Sequence, residues 1–564
     1  MTQRVAMVLA LLIGGFFLVF FLWPLWMALQ VAFLDAEGHP TIVYFLEVFI
    51  NPLYLEGLQN ALWIAVLTTL GCFLLAMPLA FLQVNFKFLG REAFNLLALS
   101  PLMLPPFVGA LGVQAILGRH GSLNSLLLDF GLIDPQNLPD WLGQGRLAGV
   151  VLMNVLHLYP IVYVNLISTL KNLDPALDEV AMSLGVGPVR RFFRITVPLL
   201  LPGIFAGGSL SFVWAFTELG VPLMFDFERV TSVQIFNAIR DLTGNPFPYA
   251  LVITMLVVSI LLFSVSSALF RGGQWTGGGR AVRSRMAHDP GFFKGTLITA
   301  LFTMITAMAL APHLGVFLLA FSDDWYGTFF PAKLGLAHFA DALGNELTLP
   351  SIANSLRYAG ASTLLDILLG VSVSWIVIRT RLKGRGLLDA LSMLPISVPG
   401  IVLALGYLAL TREGKPLDFL IQEGDPFLLL AIAYGIRRLP YVVRSMSAGL
   451  LQISPTLEEA SANLGAAPFE TLRRITLPMA MPSLLAGGVL AFAFAMLEVS
   501  DSMILAQRTV FFPITKAMYT LSGAIGDGPA LAAALGVWSM LFLILLLLLL
   551  GVLMGKRLSG LLGP

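Results

Sequence analysis

One cysteine stands among 564 residues, Cys72, and it lies inside an apolar run. This excludes an intramolecular disulfide and any thiolate metal cluster. Charge is scarce as well: Asp, Glu, Lys and Arg make up 12% of the chain against 57% hydrophobic residues, too apolar a balance for a water-soluble protein of this length. A formal net charge of +1 leaves no general basic excess for nucleic acid. No G-x-x-x-x-G-K-[ST] pattern occurs. Gly414-Lys415 runs into Pro416 and Gly555-Lys556 into Arg557, so neither offers a phosphate cradle followed by a metal-binding hydroxyl. HExxH and nucleophile-elbow patterns are missing, and the six His are scattered. No catalytic residue, bound cofactor or metal site is expected on this chain.

What is present is a series of long apolar runs. Alternating segments of the barrel type are absent, so the spans must be helices, which alone satisfy their own backbone in lipid. They number about twelve, near 6–33, 60–82, 93–116, 148–168, 198–217 and 249–270, then near 295–320, 354–378, 387–409, 427–447, 478–497 and 531–554. The first of these, from Ala6 to Phe33 behind Arg4, is roughly twice the length of a signal-peptide core and has no small-x-small cleavage pattern. It is expected to be retained as a spanning helix.

Lys and Arg set the orientation, because they accumulate in cytoplasmic loops. The stretch from Asp35 to Gln59 has neither. Lys87, Arg91, Lys171, Arg190, Arg191, Arg194, Arg271, Arg280, Arg283, Arg285, Lys294, Arg379, Arg381, Lys383, Arg385, Arg473, Arg474, Lys556 and Arg557 fall on alternate loops. Those loops, and both termini, are expected inside. The Gly-rich basic segment 271–290 reads as a cytoplasmic linker between a first bundle, 1–270, and a second, 291–564. An even number of spans per half makes the two repeats parallel.

The halves are related by sequence. The block from Pro160 to Glu218 aligns without gaps on that from Pro440 to Glu498, with about a third of positions identical. Upstream the offset is larger by about fourteen residues: Asn60 matches Asn354, Gly90-Arg91 matches Gly384-Arg385, and Pro101 and Pro105 match Pro395 and Pro399. The surplus lies in the first half's outer loop, around 117–147.

Within each repeat, a patterned loop follows the fourth span. It carries Glu179, Ala181, Gly185, Ile195 and Pro198 in the first half and Glu459, Ala460, Gly465, Ile475 and Pro478 in the second. About ten residues from the Glu past the Gly are expected to form a short helix, after which Pro resets the chain. These loops resemble the EAA motif of bacterial binding-protein-dependent ABC importer permeases, with Val180, Val197 and Ser461 as small departures from its pattern. The resemblance implies an all-α integral membrane fold, two parallel six-helix type I permease bundles, in the bacterial inner membrane. It also implies a coupling helix in each loop, seated on one of two ABC ATPase subunits, with ATP and Mg on those partners and a periplasmic solute-binding protein delivering cargo. Capping of the helix by Glu179 and Glu459 is the plainer alternative role.

The segments LPISVPGIVLALGY, 394–407, and IRRLPYVVRS, 436–445, resemble the fused permeases for ferric iron, with relatives for thiamine and phosphonates. Iron is the first expectation for cargo. Arg437 and Arg438 fall mid-span, and read either as an anion path or as a structural ion pair or carbonyl clamp. Glu218 and Glu498, with Asp501 beside the latter, read as outer-gate residues or as solvated helix ends. The Pro pairs are expected to kink the third span of each half. Hydropathy alone also admits an ion-gradient-driven transporter of two parallel repeats, or a membrane scaffold; the duplicated loop is what separates an ATP-driven permease from both.

Overall fold

The computed structural model describes residues 3–35, 37–103, 105–142, 146–239, 247–270 and 287–554. Most of the expected linker, together with Lys556 and Arg557, lies outside them. The described chain is helical, and its only β pairings are isolated bridges. The first half runs α1 (Gln3–Ala32), α2 (Pro52–Asn85), α3 (Pro106–Leu117), α4 (Leu147–Lys171), α5 (Pro175–Ser183), α6 (Val197–Thr217) and α7 (Phe247–Phe270). The second repeats the order as α8 (Phe292–Phe321), α9 (Thr348–Arg379), α10 (Gly400–Leu410), α11 (Phe427–Gln452), α12 (Pro455–Asn463), α13 (Leu477–Met496) and α14 (Gly528–Met554).

Against about twelve expected spans, eight helices among the described residues are individually long and apolar enough to cross a bilayer, and up to ten if each of two bent pairs counts as one span. The shortfall has identifiable causes. Helix α11 is long enough but carries Arg437, Arg438 and Arg444. The third span of the second half is broken rather than kinked. Pro395 opens a 3-10 turn, Leu394–Ser397, and Val398 and Pro399 are extended, so that Arg385–Ser397 meets α10 at 101°. Proline disfavours the helical region for the residue before it and cannot donate to the previous turn, which is why the chain turns here.

By packing, the chain divides into one compact unit of Met1–Val48, Ile235–Leu256 and Phe339–Pro564 and another of Phe49–Gln234 and Val257–His338. This division differs from the contiguous stretches 1–270 and 291–564, because the first helix of each half packs on the other half's third span. In the first unit Pro24 has no N–H to offer the carbonyl of Phe20, four residues back in α1, and the Tyr407 hydroxyl of α10 donates to that carbonyl at 2.5 Å. Gly406 lets α1 this close, since a Cβ there would strike the Pro24 backbone. In the second unit Gly112, the repeat counterpart of Gly406, gives the same clearance to the Pro312 carbonyl of α8. Small residues at such crossings allow the backbone approach that stabilises helix pairs in lipid.

The rest of the first unit is built on α9, α11 and α13. Gly370 of α9 receives Val442 of α11, Gly487 of α13 receives Val442 and Ser445, and the Ser374 hydroxyl donates to the Val443 carbonyl at 3.0 Å. A core of Val442, Met446, Leu450, Ala480, Leu484 and Ala491 fills the space between.

Candidate functional site

The two patterned loops adopt one geometry, each in its own unit. Helix α5 begins at Asp174, whose carboxylate accepts from the Ala176 N–H at 2.9 Å, with Pro175 following at the first helical position. Helix α12 begins at Ser454, with Pro455 following and the Ser454 hydroxyl accepting from Thr456 N–H. Each helix ends before its glycine rather than running past it. Gly185 and Gly465 sit at φ +73° and +82°, a left-handed conformation that stops the helix at low cost only for glycine. The paired bonds Gly185 N–H to Met182 O and Val186 N–H to Ala181 O, matched by Gly465 to Ala462 and Ala466 to Ser461, close both ends. The caps are thus Asp174 and Ser454. Glu179 and Glu459 are exposed on the middle turns.

Of the remaining pattern residues, Ala181 and its counterpart Ser461 are buried, whereas Ala460 is exposed. Ile195 and Ile475 are half-buried in matching π-helical turns, Phe192–Thr196 and Leu472–Thr476. Pro198 and Pro478 take the second position of α6 and α13. Leucine tips each loop just before the glycine: Leu184 is 76% and Leu464 88% exposed, with Val180, Met182, Val189 and Phe469 also open.

The sequence did not reveal how the second loop is held. Arg379, the last residue of α9, donates from Nε to Glu458 at 3.0 Å and from Nη2 to the carbonyls of Leu450 and Ile453 at 2.9 and 2.8 Å. The Thr476 hydroxyl donates to the same Glu458 oxygen at 3.0 Å. Arg379 matches Asn85 of the first half, whose side chain bonds instead to Phe81 O in its own helix. Only the neighbour of the patterned Glu459, a second acid, hinted at this clamp.

Four residues singled out separately in the sequence meet in the first unit. Arg437 Nη1 lies 2.6 Å from Glu498 Oε1 and 3.1 Å from Asp501 Oδ2, and Arg438 Nη2 pairs with Glu498 Oε2. Glu498 and Asp501 are buried, not solvated helix ends. The Glu498 carbonyl accepts from the hydroxyls of Ser502 and Thr515, and Tyr434 and Ser502 hydroxyls lie 2.5 Å apart. Gly400 at the start of α10 makes room for the Arg437 guanidinium. Glu218 belongs to the other unit. Its carboxylate accepts from the N–H groups of Gly220 and Val221, and Ser232 donates to its carbonyl.

No group of three or more His, Cys, Asp or Glu residues suited to a metal occurs among the described residues. Paired arginines and carboxylates of this kind neutralise one another in a low-dielectric interior, where an unpaired charge would be costly.

Residues 72–272 and again 366–559 match the family of binding-protein-dependent transport system inner membrane components. The chain belongs to this family. It carries the domain twice, a fused double permease of the ABC importer type, and is a multi-pass inner membrane component. It is similar to the putative ferric transport system permease protein of Haemophilus influenzae, with 29% identity covering 81% of this chain and 70% of the relative. The ferric transport system permease protein of Actinobacillus pleuropneumoniae is 28% identical over 81% of this chain and 64% of its own length. A putative 2-aminoethylphosphonate transport permease of Salmonella typhimurium matches 43% of this chain at 28% identity, covering 85% of its own length. Among solved structures, a bacterial alginate ABC transporter in complex with a pentasaccharide-bound periplasmic protein covers 47% of this chain at 21% identity, with a TM-score of 0.38.

Proposed function

We propose that the protein carries ferric iron, received from a periplasmic binding protein, into the cytoplasm by alternating access, and that two separate ABC ATPase subunits drive it through α5 and α12. The observation that carries the coupling reading is the duplicated loop: two short helices, each closed by a left-handed glycine and each presenting an exposed leucine. Exposed apolar side chains clustered at the loop tips suit insertion into a partner's groove. ATP and Mg belong to the partners in this reading, since no phosphate cradle is present in the sequence. Both termini then lie in the cytoplasm. The energy of ATP binding biases the permease only through contacts that differ between its two states, and the two coupling helices are where such contacts would be made.

Purification from membranes tests the coupling. Leu184→Asp combined with Leu464→Asp is expected to leave expression and thermal stability unchanged while abolishing co-purification of the ATPase; retention of the ATPase would refute the docking assignment. For cargo, the ferric relatives favour iron. Metal analysis and mass spectrometry of the cognate binding protein are expected to find Fe(III), and a bound phosphonate or thiamine would replace iron in this reading.

A further inference from the structure

Two copies of one fold in a single chain provide an alignment of their own. Position 366 of α9 matches 72 of α2, 437 and 438 of α11 match 157 and 158 of α4, and 498 and 501 match 218 and 221. Two sites stay polar, Arg437 facing His157 in the alignment and Glu498 facing Glu218. The other three change together: Asp366, Arg438 and Asp501 in the second half stand where the first has Cys72, Leu158 and Val221. Charged groups buried in a spanning region need partners, so replacement as a set marks residues that depend on one another.

Asp501 has its partner in Arg437, but Asp366 has none of this kind. It is fully buried, well inside the 32-residue α9, and neither carboxylate oxygen has a hydrogen-bond partner among the described residues. It faces Gly435 of α11, where a Cβ would lie 3.4 Å from Asp366 Oδ1. Arg438 lies three residues beyond Gly435, on the neighbouring turn of the same helix. Arg438 is itself incompletely paired: Nη2 meets Glu498, the guanidinium sits 5.6 Å above the Phe494 ring, and Nε is buried without a partner. Two guanidiniums thus serve three buried carboxylates, Asp366, Glu498 and Asp501, and the incompletely paired Arg438 follows one turn after the glycine that the unpaired Asp366 faces.

We infer that Asp366 is the alternate counter-ion of Arg438, which exchanges its salt bridge between Glu498 beyond the end of α13 and Asp366 in α9 as these helices shift. Asp366 is a positioning residue in this account: it holds no cargo, and it gives the second-half bundle a second arrangement in which Arg438 remains neutralised. The inference rests on the transport reading for its timing in the cycle, but the pairing itself stands on the geometry.

The test uses the full permease reconstituted in liposomes with its ATPase, reading thermal stability and basal ATP turnover. Arg438→Leu alone is expected to lower stability, because Glu498 loses one of its two cations and Asp366 loses the guanidinium one turn along α11 from the glycine it faces. Arg438→Leu with Asp366→Cys restores the first half's own pair, and is expected to recover stability while turnover stays about tenfold below wild type, within the usual range of coupling between sites. Asp366→Glu, which keeps the carboxylate, retains most turnover, and Asp366→Asn loses it. The exchange is overturned if the double variant turns over ATP like wild type, if it fails to recover stability, or if Glu and Asn at 366 behave alike. A wild-type complex that binds no ATPase would refute the transport reading instead, and the stability arm would still decide the pairing.

Discussion

At Arg437 a single guanidinium nitrogen serves two acids, Glu498 at 2.6 Å and Asp501 at 3.1 Å. Removing it by Arg437→Ala leaves both carboxylates buried with one less cation, a change that typically costs about 3–5 kcal/mol. Thermal unfolding in detergent is expected to show this as a large fall in the transition temperature. Arg437→Lys should fall between, because it keeps the charge but loses the guanidinium plane that holds Nη1 between the two acids. Each residue of this network was conspicuous in the sequence as a charge in an apolar run, and Arg437 and Arg438 admitted a structural ion pair beside an anion path, but Glu498 read as a gate or a solvated helix end and the partners could not be named. Pairing depends on how α11 is rotated against the chain about sixty residues later, which no local pattern encodes. Asp366 was overlooked for the same reason: without Gly435 opposite and Arg438 beside it, it is one acid in one helix.

Local rules fared better at the scale of elements. A short helix in each patterned loop was legible, but not its ends: α5 and α12 begin at Pro175 and Pro455, four residues before the patterned glutamates, and stop short of the glycines they were expected to pass. The Pro pair at 395 and 399 was legible as an irregularity, and its size was not, since a kink and a 101° break share the same residues. Helix crossings are where sequence and packing meet most tightly. Gly406→Val is expected to push α1 from α10, because the added carbons would occupy the Pro24 backbone, and to cost the Tyr407 hydrogen bond to Phe20. Overpacking of this kind typically costs about 1–3 kcal/mol before the lost bond is counted. Gly112→Val should do the same at Pro312, and cysteine cross-linking of α1 to α10 or of α8 to α3 would register the separation.

For the whole molecule, the duplication was legible and the exchange of first helices was not. Periodicity and repeats report what each segment is, whereas the partner of α1 is decided by complementary surfaces such as Gly406 against Pro24, which lie far apart in sequence. This has a direct consequence for dissection. The segment 291–564 lacks α1, which satisfies Tyr407 and covers α10, and the segment 1–270 lacks α8, which fills the space at Gly112. Each segment made alone therefore exposes a helix face built to accept a backbone, and each is expected to be degraded or to aggregate in the membrane. Made together from two genes, the segments should rescue one another, co-purify through a tag on either one, and protect each other from proteolysis. Independent stability of 291–564 would mean that α10 does not need α1, and the exchanged packing would then be wrong.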